Sequence, residues 1–431
     1  MKKFNHIVLV AALSLVSAFS TKAEVPQEII DNPLLTAGNL LAYPTSGYPA
    51  LTDAPAGYVP FHIEHYGRHG SRWLLGHRDY TVPRDILQKA NEAGMLTDRG
   101  KRALATIEKM ETDARGHYGD LTTVGAMQHR GIANRMYANF PEIFADSAYV
   151  DAKSTVVIRC ILSMTNELVE LAKKNPALKI TQESTFANQW YLNNSDLDTV
   201  AHAVRRRANP VLDEYTKEHC DPTPFVSKLF VDKDYVKTNV NVNDFYNKMF
   251  ELASNQQSHG YADELYDLFS VDELYKKWEC NNAGWYLTAG NAPATLGRMP
   301  YAQRHLLTDF ISSADKAIAA PTHGASLRFG HEVVVLPMAC FMELDNYGVA
   351  VDKLEDLSGQ WRNYEIFPMA SNIQMIFYRN AQNDDILVKC LLNEREVSLP
   401  CGHVSGPYYS WSKLKEYYQG KLDSFSTKFE R

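Results

Sequence analysis

Arg68-His69-Gly70-Ser71-Arg72 sets two guanidinium groups four residues apart around an imidazole. Guanidinium stays charged at any working pH, and its planar donors match the oxygens of a phosphate in pairs. Gly70, with no Cβ, lets the backbone approach a ligand closely. The histidine between the arginines is itself a competent nucleophile toward phosphorus, because a neutral imidazole nitrogen carries a lone pair. The chemistry that these types and spacings suggest is phosphoryl transfer. The same five residues, taken alone, also fit a solvated basic turn.

Whether they form a site depends on the elements that carry them. Val59 to Tyr66 alternates as a strand does and runs straight into the Arg68 loop, which places that loop at a strand's carboxyl end. Ser154-Thr155-Val156-Val157-Ile158-Arg159 is β-branched and reads as a buried strand ending on a third guanidinium, Arg159, with Ser163 four residues on. Ser326-Leu327-Arg328-Phe329-Gly330 reads as another strand, followed by His331, Glu332 and an apolar helix start at Val333. That arrangement sets an imidazole and a carboxyl group beside a positive helix dipole. Phosphoryl transfer needs cations around the equatorial oxygens and a proton for the leaving oxygen, and these three segments hold both.

With these residues in view, the chain resembles the histidine acid phosphatase branch of the histidine phosphatase superfamily, which includes phytases and multiple inositol polyphosphate phosphatases. The resemblance rests on Arg68-His69-Gly70-Ser71-Arg72, on Arg159 and on Leu327-Arg328-Phe329-Gly330-His331. Leu121-Thr122-Thr123-Val124-Gly125, Gln128-His129-Arg130-Gly131 and Gly406-Pro407-Tyr408-Tyr409-Ser410-Trp411 add to it. It covers the first and last thirds of the mature chain. It implies that His69 becomes phosphorylated, that Arg68, Arg72, Arg159 and His331 hold the phosphate, and that Glu332 protonates the leaving oxygen and then helps activate water. It further implies an α/β fold with a phosphoglycerate mutase-like, Rossmann-type core sheet flanked by helices, no cofactor or metal, and an inositol polyphosphate as substrate. Sugar phosphates or nucleotides are the competing substrates, and a non-catalytic phosphate binder is the competing class. The chain departs from the family at one place. The branch carries His-Asp or His-Ala-Glu at the distal block, whereas this chain has His331-Glu332-Val333.

The remaining features bound the setting. Lys2 and Lys3, an apolar run from Ile7 to Ala18 and small residues around Ala23 read as a secretory signal peptide over residues 1–23, so the mature chain is expected in the periplasm or outside the cell. Its removal leaves 41 basic against 51 acidic residues, a balance that disfavours nucleic-acid partners. No later stretch reads as a membrane span. Residues 24–186 and 316–431 carry the strand and helix alternation of a largely parallel α/β core. Helices are expected from Arg84 to Ala93, from near Arg99, and from Thr123 to Phe140. Residues 187–315, polar and aromatic without core strands, read as a mainly helical inserted lid.

Six cysteines leave Cys390 with Cys401 and Cys220 with Cys280 as candidate pairs. Arg205-Arg206-Arg207 reads as a solvated helix face, with a polyphosphate patch as the alternative. His129 reads equally as support for the pocket or as a packed polar residue, His62 and His65 as structural, and Tyr408, Tyr409 and Trp411 as packing. His202, His219 and His259 lack metal-ligand spacing.

Overall fold

The protein is described from a computed structural model, over residues 25–193, 199–261 and 264–429. The expected signal peptide therefore lies outside the described residues. A nine-stranded sheet forms the centre. Its strands are β1 (Tyr58–Arg68), β2 (Tyr149–Ser154), β3 (Lys179–Glu183), β4 (Gly324–Gly330), β5 (Asn372–Asn380), β6 (Asn383–Leu392), β7 (Arg395–Glu396), β8 (His403–Ser405) and β9 (Tyr408–Ser410). The principal helices are α1 (His77–Glu92), α2 (Asp98–Ala114), α3 (Thr123–Asn139), α4 (Ile158–Lys174), α5 (Ala208–His219), α6 (Val242–Asn255), α7 (Val271–Ala289), α8 (Arg304–Ala319), α9 (Glu332–Phe341) and α10 (Trp411–Phe429).

The strand order is β3-β2-β4-β1-β5-β6-β9-β8, with β7 added at β6. Only the first four strands are mutually parallel. From β1 onward the pairings are antiparallel, which corrects the expectation of a largely parallel core. The reason is local: two residues, Ala381 and Gln382, join β5 to β6, and so short a connection can only reverse the chain. Strand alternation fills both faces. Ile373, Met375 and Phe377 of β5 join one core with residues of α8, α9 and α10. Ile376 and Tyr378 face the other, built with Ile132, Ala133 and Met136 of α3 and Met164, Leu168 and Leu171 of α4. Tyr408, Tyr409 and Trp411 are buried packing residues.

A third core holds helices alone. Leu87, Leu104 and Ile107 of α1 and α2 pack with Phe225, Phe245, Met249 and Leu274. The helical body thus draws on residues before β2 as well as on the segment expected to form the lid. The segment from 187 to 315 is mainly helical and holds no named strand among its described residues, but α8 straddles its far boundary and lies against β1. All six cysteines are free thiols, with Cys220 and Cys280 in mutual hydrogen-bond contact. No helix among the described residues is long and apolar enough to cross a membrane.

The parallel strands deliver three chain segments to one edge. β1 ends at Arg68 opposite Gly330, the last residue of β4, and β2 ends at Ser154 opposite Phe329. Beyond the strands, the His69 amide donates to the Gly330 carbonyl at 2.9 Å and the Thr155 amide to Phe329 at 3.0 Å. The loop after β1 is then clamped to the start of α3. Thr122 caps that helix by accepting from the Gly125 amide (3.1 Å), while its backbone and hydroxyl both donate to the Ser71 carbonyl. A Cβ on Gly70 would stand 2.5 Å from the Gly125 carbonyl oxygen, and one on Gly125 would strike the Ser71 backbone.

Neither of those neighbours is a flexible side chain, so the contact cannot be relieved by a rotamer change. Gly125→Ala should lower unfolding free energy by about 1–3 kcal/mol, the usual cost of overpacking. Urea denaturation of the variant checks this, and an unchanged midpoint would show that the loop and helix can separate.

Candidate active site

His69 is fully buried at the end of β1. Its Nδ1 lies 2.9 Å from the Gly70 carbonyl, an oxygen that can only accept, so Nδ1 carries the proton. Nε2 is left with its lone pair and without a hydrogen-bond partner. Burial, reinforced by Arg68 and Arg159 and opposed by Glu332, holds the proton affinity of His69 well below the usual histidine range. The imidazole is therefore neutral and pointed, the state that a nucleophile needs.

Arg68 is anchored on its far side: Nη1 donates to the Asn39 carbonyl (2.6 Å) and the Phe367 carbonyl (2.9 Å). Its Nε and Nη2 have no hydrogen-bond partner, although the side chain is entirely buried. Burial lowers its proton affinity to about 10, against the opposing charge of Glu332. Arg72 donates through Nη1 to the Trp73 carbonyl and leaves its Nε unpartnered, while Asn255 of α6 donates to the Arg72 carbonyl at 3.0 Å. Arg159 also keeps a buried, unpartnered Nε. Its charge lowers the proton affinity of His69, His331, Arg68 and Arg72, so it stands over the same site.

Arg159 does not end a strand, as expected from the β-branched run. The sheet partner on β4 is exhausted at Phe329, and residues from Ile158 onward belong to α4, so Arg159 occupies the helix's first turn. Its position is anion-favouring for the same reason that helix N-termini are. His331 is the residue before α9, and Glu332 opens that helix. Thr155 Oγ1 lies 3.2 Å from His331 Nε2, and the Tyr66 hydroxyl accepts from the His331 amide at 3.2 Å. Burial lowers the His331 proton affinity to about 4. Its ring lies edge-on to His69, with centroids 5.7 Å apart.

Glu332 Oε2 sits 3.2 Å from Arg68 Nε and 3.4 Å from His69 Nε2. Burial alone would raise its proton affinity. Arg68 and Arg72 outweigh that and hold the carboxyl well below its ordinary range. His69, His331 and Glu332 bring three potential ligand atoms within 4.8 Å of one another. The guanidinium groups around them oppose a divalent cation and favour an oxyanion.

A supporting layer surrounds these groups, and only Ser163, Gln128 and His129 of it carry a signal in the sequence. The Gly70 amide donates to Ser163 Oγ at 3.1 Å, and Gln128 bridges Ser71 through both its amide atoms. Cys160 donates to the Gly330 carbonyl beside His331. Thr155, Tyr66, Cys160 and Asn255 carry no spacing signal, because each reaches the site from a separate element. His129 is a fully buried partner of Glu167 at 2.7 Å, next to Gln128. His62 pairs with Glu64 inside β1, and burial lowers His65 to about 3. Arg206 and Arg207 are exposed at the end of a helix away from these contacts. His259 stacks on Trp73 with centroids 3.8 Å apart.

A family profile described as histidine phosphatase superfamily (branch 2) matches residues 67–393, a span that begins at the loop carrying Arg68 and His69 and contains His331 and Glu332. The chain belongs to this family. Among solved structures, the Bifidobacterium longum multiple inositol polyphosphate phosphatase in complex with inositol hexasulfate aligns with a TM-score of 0.70 at 17% identity, covering 89% of this chain and 97% of that one. The phytase from D. castellii aligns with a TM-score of 0.72 at 14% identity, covering 97% and 93%. The Hafnia alvei phytase in its apo form aligns with a TM-score of 0.53 at 12% identity, covering 86% and 98%. At these identities the likeness establishes a shared fold. No curated protein sequence matches the chain significantly.

The family's His-Gly-x-Arg loop and distal histidine thus fall where the sheet brings them together, and Glu332 is the acidic group beside them. Because burial depresses the proton affinity of His69, the free protein should keep this imidazole neutral as pH falls through 6.5. Nitrogen-15 NMR of the histidine side chains, assigned with His69→Ala, checks this. A His69 resonance titrating at 6.5 would mean that the burial is not realised in solution.

Proposed function

We propose that this chain is an exported phosphomonoesterase that works without a metal, through a phosphohistidine on His69, and that inositol polyphosphates are its substrates. The observation that carries the reading is the set of buried donors without partners. Arg68 Nε and Nη2, Arg72 Nε and Arg159 Nε are buried without partners, and the charges of Arg68 and Arg159 act on His69 while those of Arg68 and Arg72 act on Glu332. Unpaired buried donors of this kind are costly unless a ligand satisfies them. A tetrahedral phosphate supplies three oxygens to such a cradle and its phosphorus to Nε2.

In the first step Nε2 attacks phosphorus, the bond from phosphorus to the substrate oxygen breaks, and Glu332 gives that oxygen a proton. In the second, water attacks phosphorus, Glu332 takes a proton from it, and the bond from phosphorus to nitrogen breaks to release phosphate. The arginines supply the positive charge that a metal provides elsewhere. Glu332 must be protonated to begin, and its carboxyl is strongly ionised in the ligand-free site. An arriving phosphate dianion engages the arginines that hold the carboxyl ionised and adds its own negative charge, and both changes raise the proton affinity of Glu332.

The preference for inositol polyphosphates is supported by the named substrates of the structural neighbours, one of them solved with inositol hexasulfate. Export is supported by the basic and apolar start of the sequence.

Phosphate release from inositol hexakisphosphate, a sugar phosphate, a nucleotide and an aryl phosphate, each with and without chelator, tests the reading. Inositol hexakisphosphate should be hydrolysed with the highest kcat/KM, and chelator should leave the rate unchanged. His69→Ala should abolish release from all four. A preference for the sugar phosphate or nucleotide would replace the substrate assignment, and hydrolysis by His69→Ala would remove the nucleophile. Glu332→Gln should slow the inositol phosphate by roughly 10²–10⁴-fold, the range of general acid catalysis, and the aryl phosphate far less, because an aryl oxide scarcely needs a proton. Equal losses on both would assign the proton to another group.

A further inference from the structure

We infer that Glu332 has a second role besides proton donation: in the ligand-free enzyme its carboxylate occupies the phosphoryl position, and substrate must displace it to bind. This rests on the phosphate-site reading above.

The geometry is specific. One oxygen, Oε2, lies against both Arg68 Nε (3.2 Å) and His69 Nε2 (3.4 Å), which is where a phosphoryl group must sit to be held by the first and attacked by the second. The carboxylate supplies the charge that the site needs but not its shape. Arg68 Nε, Arg68 Nη2, Arg72 Nε, Arg159 Nε and Oε2 itself all remain without a hydrogen bond. Its Oε2 reaches Arg68 Nε and leaves the Nε atoms of Arg72 and Arg159 unserved. Glu332 is therefore a placeholder that a better-fitting anion can replace. It has somewhere to go, since its side chain keeps 17% of its surface open to solvent while Arg68 and His69 have none.

The sequence departure explains why this chain can do so. Glu332 follows His331 directly, at the position where His-Asp relatives have the shorter acid. One more methylene extends the carboxylate by roughly 1.5 Å, a single carbon–carbon bond, from the same helix start. That added reach brings Oε2 onto the nucleophile. Two consequences follow for turnover. The buried Arg68 charge keeps a counterion when no ligand is present, which avoids the large cost of an unpaired buried ion. After hydrolysis, Glu332 passes the proton it took from water to solvent, and return of the carboxylate so formed displaces product phosphate.

Isothermal titration of inorganic phosphate into wild type, Glu332→Gln and Glu332→Asp, at one pH and low salt, tests this. Glu332→Gln removes the charge, whereas Glu332→Asp keeps the charge and removes the reach. If the carboxylate occupies the site, both variants should bind phosphate more tightly than wild type, by roughly tenfold or more. Tighter binding by Glu332→Gln alone would overturn the inference in favour of simple charge repulsion at a distance. Unchanged or weaker binding by both would also overturn it, while measurable phosphate binding by wild type would leave the phosphate-site reading standing. Absence of phosphate binding in all three would overturn both. Far-UV circular dichroism confirms that each variant is folded, and the two conservative replacements guard against loss of one.

Discussion

The fold is organised around a cation that it cannot hydrate. Arg68 has no exposed surface, and it is fixed by two backbone carbonyls that come from opposite ends of the chain, at Asn39 and Phe367. Those bonds aim the rest of the guanidinium inward, toward His69. A buried charge of this kind is tolerated only with an opposing charge close by, and its worth falls away if that partner is lost. The requirement for an anion at this point links the packing of the protein to its chemistry. In the proposed mechanism substrate meets it during turnover, and in the ligand-free structure Glu332 lies against it.

Holding the cation in place calls for rigid backbone, and the parallel half of the sheet provides it. β1, β4 and β2 end at the same level, so their following residues contribute His69, His331 and Thr155 to one edge. The antiparallel half contributes no catalytic group, yet it fixes the loop from below: Arg68 and Ala370 exchange backbone hydrogen bonds with Ser371 and His69 across the β1–β5 junction. Gly70 and Gly125 then close the other side of the loop by direct backbone contact. The helical body reaches in once, through Asn255 on the Arg72 carbonyl. Arg68 and Arg72 therefore have different anchors, and both, with Arg159, keep buried donors free.

How much of this was legible in the sequence follows from how local each signal is. Arg68, His69 and Arg72 lie within five residues after a clear alternating strand, and His331 with Glu332 lies between a strand and an apolar helix, so both blocks could be read directly. Arg159 was found, but its element was misassigned. The run from Thr155 to Ile158 has the β-branched composition of a strand, and nothing in it shows that pairing with β4 ends at Ser154 opposite Phe329. The helical periodicity that claims these residues, Cys160, Ser163, Met164, Glu167, Leu168 and Leu171, begins inside the same stretch. Tertiary pairing decided between two locally acceptable structures. The contributions of Tyr66, Thr155, Cys160 and Asn255 depend on contacts between distant elements, as does the union of α1 and α2 with residues 223–274 in a single helical core. No spacing rule encodes them.

The residue hardest to assign from sequence, Glu332, is also the one whose setting varies most between states of the site. Beside ionised arginines with no ligand, its carboxyl gives up its proton readily; beside the same arginines paired with a dianion, it retains one. The proposed roles as acid and as counterion are then two protonation states of one group, exchanged by the arrival of substrate. A residue fixed rigidly in either state would serve only one of them. His331 is held on Thr155 and Tyr66, and Arg68 on two carbonyls, but Glu332 Oε2 has charge contacts without a hydrogen bond. His331 and Arg68 are thus anchored by hydrogen bonds while Glu332 is not, and the proposed displacement of Glu332 calls for that difference.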